Sequence, residues 1–344
     1  MEKRFIQTLF VVGVLLGATA FSAAGGYHVV KRIQIAGDAG WDYVTADTEG
    51  RRLYVPHGAE VVVLDLDKGT TIGKITGAED MHGVVVARDM GRGFISATDP
   101  GSVTIFDLNT LAVIEKVRVG DDPNGIIYDP TTQRVFSADR GSRRMTAIDA
   151  KTGKIAATTV DLAGRTEHLA ADGNGHVFLN MQSLGTLLKL DARDLKVIDT
   201  WPLAGCGQPS SMDIDRAHMR VFIGCRSGSL VVVDGANGKL VATQPIGPGV
   251  DALEFDPAKG LIFVSTGGGD GVLSIFHEDS ADRYSLVENV KTLPGARTMA
   301  LDHKTGVVYL PVADVGPAPA APAENPRPRR RMVPGTFSVL AVGQ

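Results

Sequence analysis

The chain has no excess of basic charge: 35 Lys and Arg stand against 39 Asp and Glu, a formal net charge of −4. A general nucleic-acid binder should present a basic face, so that class is set aside. Helical patterning is missing as well. Beyond residue 24 no window longer than ten residues keeps a 3.6-residue apolar period, which excludes an α-helical core. There is no GxSxG for a serine nucleophile on an elbow, and no HxH or HExxH for a locally built metal site. The glycines between Gly260 and Val272 are followed by neither a helix nor a Lys-Ser/Thr pair, so they form a turn and not a phosphate-binding loop. Nothing in the sequence names a cofactor.

What is present begins with an address. Lys3 and Arg4 precede an apolar run from Leu9 to Phe21, and the small residues Ser22, Ala23 and Ala24 follow it. The run is short for a membrane span and is interrupted by Gly13 and Gly17, so residues 1–24 read as a cleaved secretory signal. No Cys follows the run, which argues against a lipoprotein. The expected location is periplasmic or extracellular, with no membrane segment left after cleavage. The leader carries a net +1 from Glu2, Lys3 and Arg4, so the remaining chain stands at −5. Four of its arginines, Arg327, Arg329, Arg330 and Arg331, share one stretch, which leaves the body near −9.

From residue 25 onward the chain repeats. In the stretch 121–164, four short β-type runs (GIIYD, RVFSA, RMTAID and KIAATTVDL) are separated by turn residues, which describes a four-stranded antiparallel sheet. An aromatic recurs in the second strand of each unit: Tyr54, Phe94, Phe136, Phe178, Phe222, Phe263 and Tyr309. The spacing of 40 to 46 residues with four strands per unit predicts an all-β, seven-bladed β-propeller over residues 25–344. A glycine closes each unit, at Gly37, Gly77, Gly120, Gly164, Gly205, Gly247 and Gly295. In five units the third strand ends in Asp (Asp65, Asp107, Asp149, Asp191, Asp234), whose carboxylate can bond backbone N–H groups just beyond it. The sixth unit departs at His277-Glu278-Asp279-Ser280, read as a longer turn. The lone strand 28–37 resembles every unit's fourth strand, and the last unit holds only three, so the N-terminal strand should complete the final blade and close the ring.

Tyr54-Val55-Pro56, Phe222-Ile223-Gly224 and Phe263-Val264-Ser265, with the stretches 81–99, 167–180, 296–302 and 333–343, resemble the YVTN-repeat family of exported propellers, the YncE-like proteins. The resemblance covers residues 27–344. It implies this fold and export, and it implies a binding or partner module without naming the ligand.

Aligning the units places polar and titratable groups on one rim, formed by the loops entering the first strands and those linking second to third strands. The candidate ligand-binding residues there are Asp42, His57, His82, Glu167, His168, Asp251 and Arg297. The three histidines, with Glu167 and Asp251, are the groups a metal or acid/base site needs. The other reading is a solvated rim on which they bond neighbouring loops. His176, His218 and His303 fall in first-to-second turns on the opposite face. Cys206 and Cys225 belong to the same rim of blade five, and in an oxidising compartment they should pair across a 20-residue loop. A thiolate metal pair with His168 or another rim residue is the alternative. The insertion 311–334 carries seven prolines and ends in the four arginines, and it reads either as a docking arm for an anionic group or as a solvated loop. The expectation is a monomeric exported binding module for a small ligand or another exported protein. The alternative is a lactonase-like hydrolase or lyase on the same rim.

Overall fold

The computed structural model describes residues 26–159, 161–317 and 331–344. They form seven four-stranded antiparallel sheets. Blade one takes Thr45–Asp47, Arg52–His57, Glu60–Asp65 and Thr71–Thr76; blade two spans residues 79–118, blade three 123–158, blade four 166–202, blade five 209–245 and blade six 250–291. The first strand of each blade lies innermost, and these strands pack against one another around a central channel.

Ring closure follows the expectation. The strand His28–Gln34 pairs antiparallel with Ser338–Gly343, which pairs with Val307–Val312, and that with Ala300–Asp302. The first and last segments thus share blade seven, and the ring is left without a free edge between its ends.

The packing explains the aromatic repeat. Tyr54, Phe94, Phe136, Phe178, Phe222 and Phe263 are completely buried, and Tyr309 nearly so. Each lies between its own sheet and the next, where a large flat side chain fills the wedge between two twisted sheets. Phe222, for instance, meets Phe255 at 5.1 Å and Tyr284 at 5.9 Å between ring centroids. Outer strands alternate poorly and stay exposed, as the patterns of Val113–Arg118 and Val197–Pro202 show.

The turn aspartates act as their position predicts. Asp65 accepts from the backbone N–H groups of Asp67 and Lys68, Asp107 from Asn109 and Thr110, Asp149 from Thr152, Asp191 from Arg193, and Asp234 from Ala236. These bonds hold the half-buried Asp65 and Asp107 carboxyls below their ordinary value.

Blade six departs in a different way from the one expected. Its third and fourth strands lengthen to nine residues each, Val272–Ser280 and Arg283–Lys291, and only Ala281 and Asp282 separate them. It is the strands that are long, not the turn: Glu278 and Tyr284 stay in the ladder, so the hairpin projects beyond the neighbouring blades.

Cys206 and Cys225 form a disulfide with Cα atoms 5.2 Å apart. It ties the loop entering blade five to the end of that blade's second strand, and constraining a loop of this size contributes about 3 kcal/mol. The thiolate metal pair is thereby excluded. The apolar run Leu9–Phe21 and its cleavage region lie outside the described residues, as do Arg327, Arg329 and Arg330. Among the described residues no helix is long and apolar enough to cross a membrane.

Candidate functional site

Inner-strand entries and second-to-third loops do meet on one face, and their side chains join across blade boundaries. Asp42 of blade one holds His82 of blade two, Oδ2 to Nδ1 at 2.7 Å, and His82 Nε2 lies 2.7 Å from Thr98 Oγ1. Thr98 in turn donates to Asp122 Oδ1 of blade three at 2.9 Å. Arg140 donates to both oxygens of Asp122, at 3.0 and 3.1 Å, and its Nη1 approaches Glu167 Oε1 of blade four at 3.9 Å. Across the mouth, Arg226 of blade five and Arg297 of blade seven both donate to Asp251 of blade six, Arg297 Nε at 2.8 Å. Arg297 also reaches the Trp41 carbonyl at 3.2 Å, and Thr298 donates to the Asp42 carbonyl at 3.0 Å. The chain of contacts thus returns to blade one.

Of the seven rim candidates, six belong to this mouth: Asp42, His82, Glu167, His168, Asp251 and Arg297. His57 does not. Its ring stacks on Phe337 with centroids 4.2 Å apart, and it lines a separate groove with Asp38, Glu60, Glu79 and Asp99. Burial lowers its proton affinity, with Glu60 opposing. The rim histidines and carboxylates do not gather into a metal set: among the described residues, three ligand groups come close enough to share an ion only on the opposite face.

Glu167 is a strongly perturbed rim group. It is 2% exposed, its Oε2 has no hydrogen-bond partner among the described residues, and Tyr43 Oη stands 3.5 Å from Oε1. Gly125 allows this placement, since a Cβ there would come within 2.6 Å of the Glu167 carbonyl oxygen. Burial, against the nearby positive charge of Arg140 and with the negative charge of Asp251, pushes the Glu167 carboxyl up to about 7. Burial pushes the His168 imidazole down to about 4, so it is neutral at pH 7, and its Nδ1 is unpartnered. The Tyr43 hydroxyl is raised by burial and then by Asp251 and Glu167. Asp122 is held low: burial acts the other way, but the Arg140 guanidinium prevails.

The sign for Glu167 is definite. A carboxyl raised in the fold binds its proton there after the unfolded chain has lost it, so stability falls as pH rises from about 4.5 to about 7. Glu167→Gln is therefore expected to be more stable than wild type at pH 8, by up to about 3 kcal/mol, and indistinguishable near pH 4. Urea midpoints across that range test it; an unchanged slope would remove the raised carboxyl from the account.

Beneath the mouth lies a channel cavity of about 430 Å³, lined by Tyr43, His168, Met212, Asp213, Glu254 and His303 among others. Asp42, His82, Glu167, Asp251 and Arg297 are absent from its walls. Tyr43 and His168, whose rings meet edge-on at 5.3 Å, separate rim from cavity. Of the three histidines assigned to the far face, His303 reaches this channel, whereas His176 and His218 bond turn aspartates. Asp213 accepts from Phe255 N–H at 2.8 Å and Glu254 from Leu301 N–H at 3.1 Å, so each carboxyl links its inner strand to the next blade. Burial and then Asp213 push Glu254 up to about 8.

Asp122 and Thr98 were not singled out from the sequence. Asp122 stands two residues before Asn124 as Asp80 stands two before His82, and both adopt the same left-handed conformation, φ 53°. That correspondence was the available signal. For Asp213 and Glu254 it was a carboxylate two residues before the aspartate that ends the inner strand, Asp215 and Asp256.

No protein-family model matches the sequence, and no curated protein does. Solved structures resemble it in fold. A chain of a mitotic checkpoint complex superposes with a TM-score of 0.74 at 13% identity, covering 90% of this chain and 96% of its own length. The structure of U3-55K gives a TM-score of 0.77 at 9% identity, covering 93% of this chain and 100% of that one. A chain of hydrazine synthase from Kuenenia stuttgartiensis gives 0.68 at 15%, covering 80% and 94%. The chain is a seven-bladed β-propeller. At these identities the likeness extends to the fold alone.

Proposed function

We propose that this propeller is an exported binding module of the YVTN-repeat, YncE-like kind, and that its rim recognises a carboxylate or phosphate group carried by a small ligand or by an acidic segment of another exported protein. The observation that carries this reading is the pairing of two guanidinium groups with one carboxylate. Arg226 and Arg297 each keep 39% of their side-chain surface and share Asp251 between them. One positive charge is left uncompensated there, with guanidinium N–H donors still open to a planar anion. Arg140 stands near, and the raised Glu167 carboxyl carries less negative charge at pH 7 than an ordinary glutamate would.

The insertion supports the same face. It leaves blade seven between its second and third strands, and its base closes by the Val315 and Met332 bridge, with Arg331 exposed. Arg331 therefore stands on the rim side, and together with Arg327, Arg329 and Arg330, its neighbours in the sequence, it would draw an anion toward the mouth.

Salt-titrated binding of a Glu-rich peptide and of inorganic phosphate is the test. Affinity should fall as salt rises. It should drop by about tenfold or more when Arg226 and Arg297 are both changed to Ala, the size expected for lost charge-assisted hydrogen bonds. Replacing the four arginines of the insertion should flatten the salt dependence. Absence of binding at low salt, or affinity indifferent to both sets of changes, would sink the reading.

A second reading, a hydrolase or lyase on the same rim, rests on Glu167 alone, a buried carboxyl raised to about 7 with a free oxygen. If it holds, lactone hydrolysis or elimination should vanish in Glu167→Gln and follow a pH profile with an inflection near 7.

A further inference from the structure

An aspartate ends the inner strand in five blades, at Asp47, Asp129, Asp215, Asp256 and Asp302, and directly follows it in blade four at Asp172; each is buried. Its ordinary task is local, accepting backbone N–H groups of the turn that follows, as Asp172 does from Asn174 and Asp215 from Ala217. In blades four and five that turn also holds a histidine whose Nδ1 faces the same aspartate: His176 on Asp172 at 2.7 Å and His218 on Asp215 at 2.5 Å. The two arrangements differ in one respect. Over blade five, the lengthened hairpin of blade six brings in Glu278, and one ligand atom from each of Asp215, His218 and Glu278 then lies within 4.8 Å of the others. Among the described residues no third such group joins His176 and Asp172.

Glu278 arrives beside a buried carboxylate, and among the described residues no Lys or Arg forms an ion pair with it. Arg220, which reaches the tip of the same hairpin, is engaged by Asp282 at 2.9 Å and by the carbonyls of Ala281 and His218 at 2.8 and 3.0 Å. The Tyr284 hydroxyl lies 2.8 Å from the Ala281 carbonyl and 3.1 Å from Glu278 Oε1, and its single proton can serve one of them. Two carboxylates and an imidazole facing one point, with solvent on the His218 side, are what a borderline divalent cation requires.

We propose that Asp215, His218 and Glu278 form a divalent transition-metal site, suited to Zn²⁺, that pins the blade-six hairpin to the blade-five turn on the face opposite the rim. Ligand atoms around Zn²⁺ stand about 2.0–2.2 Å from the metal. The imidazole must therefore swing outward from Asp215 and the Glu278 carboxylate inward. His218 is the most exposed of the three and Asp215 is fixed by its turn, so the movement falls on the two outer ligands. Three protein ligands leave a fourth position for water. The site is independent of the rim reading, because none of its residues touches the mouth.

The test uses the chain from residue 25 onward, stripped with a chelator and titrated with Zn²⁺ by calorimetry, with Co²⁺ as a spectroscopic probe and thermal unfolding in parallel. Wild type should take up a stoichiometric ion, show Co²⁺ absorption bands, and gain in Tm with Zn²⁺. Glu278→Gln and His218→Ala should each weaken Zn²⁺ by at least about tenfold, the lower end of what loss of an outer-shell partner alone costs a metal site. His176→Ala, which removes the matching histidine of blade four, should leave Zn²⁺ affinity unchanged. The proposal is overturned if wild type binds Zn²⁺ no more tightly than Glu278→Gln, or if His176→Ala weakens binding as much as His218→Ala does. Asp215 is left intact because it also caps its turn.

Discussion

A chain starting at Ala36, lacking residues 26–35, is expected not to fold cooperatively at 25 °C. The strand His28–Gln34 supplies the fourth strand of blade seven and pairs along the length of Ser338–Gly343. Without it that strand becomes an open edge of nearly continuous apolar sequence, a template for association with other chains. The loss reaches the core. Ile33 and Ile35 pack with Leu53, Val55, Phe337 and Val339, and Tyr27 sets its ring against Phe263 at 5.6 Å. Burying three such side chains is worth roughly 1.5–3 kcal/mol each, and the ladder hydrogen bonds add about 1 kcal/mol apiece. Together these approach the entire net stability of a domain, about 5–15 kcal/mol. Circular dichroism melts and size-exclusion profiles measure the effect, and a peptide of residues 26–37 added in trans should restore a folded ring. A truncated chain that melts within a few degrees of the full one, as a monomer, would show that closure is dispensable.

The second large effect is expected at the same seam. Arg51 of blade one donates from Nη1 to both oxygens of Asp302 in blade seven at 2.9 Å, and its other nitrogens engage Asp67. Asp302 is fully buried, so Arg51→Ala strands a carboxylate out of water. Breaking a buried pair costs about 3–5 kcal/mol. The lower end applies here, because Asp302 keeps bonds from Thr305 Oγ1 and the Lys304 N–H. The pH dependence has a fixed sign. Burial acts to raise the Asp302 carboxyl, but the hydrogen bonds from Thr305 and Arg51 outweigh it and hold the group below its ordinary 3.8. A carboxyl lowered in the fold contributes stability above the unfolded value, and that contribution disappears as pH falls through the folded one. The gap in urea midpoint between wild type and Arg51→Ala should thus be full at pH 7 and shrink below about pH 4. An equal gap at pH 7 and pH 3 would mean that Arg51 acts through packing alone.

Much of the architecture could be read before any coordinates because a propeller blade is a local object. Its four strands and their turns occupy about 45 consecutive residues, and Asp149 or Asp191 caps a turn within three residues of itself. The wedge-filling aromatic recurs because each sheet meets the next at nearly the same angle. The unmatched strands at the two ends permitted one arrangement that leaves no edge, and closure followed. The path from Asp42 through His82, Thr98 and Asp122 to Arg140 is of another kind. It takes its members from three blades, and a repeat pattern records which strand carries a residue, not how far its side chain stands from the axis or whose charge lies opposite. The same holds for Arg226 and Arg297 meeting on Asp251, and for Glu167, whose raised carboxyl depends on how completely neighbouring blades exclude water. His277 to Ser280 announced an irregularity, but whether extra residues enter a turn or lengthen the ladder is decided by pairing with Arg283–Lys291, and only that pairing carries Glu278 to Asp215 and His218. By itself the sequence determined the repeat, the turns and the closed ring, because these rest on interactions within or between adjacent strands. The tertiary structure alone decided which charges share the mouth and which groups lose water there, because both depend on residues brought together from blades far apart in the chain.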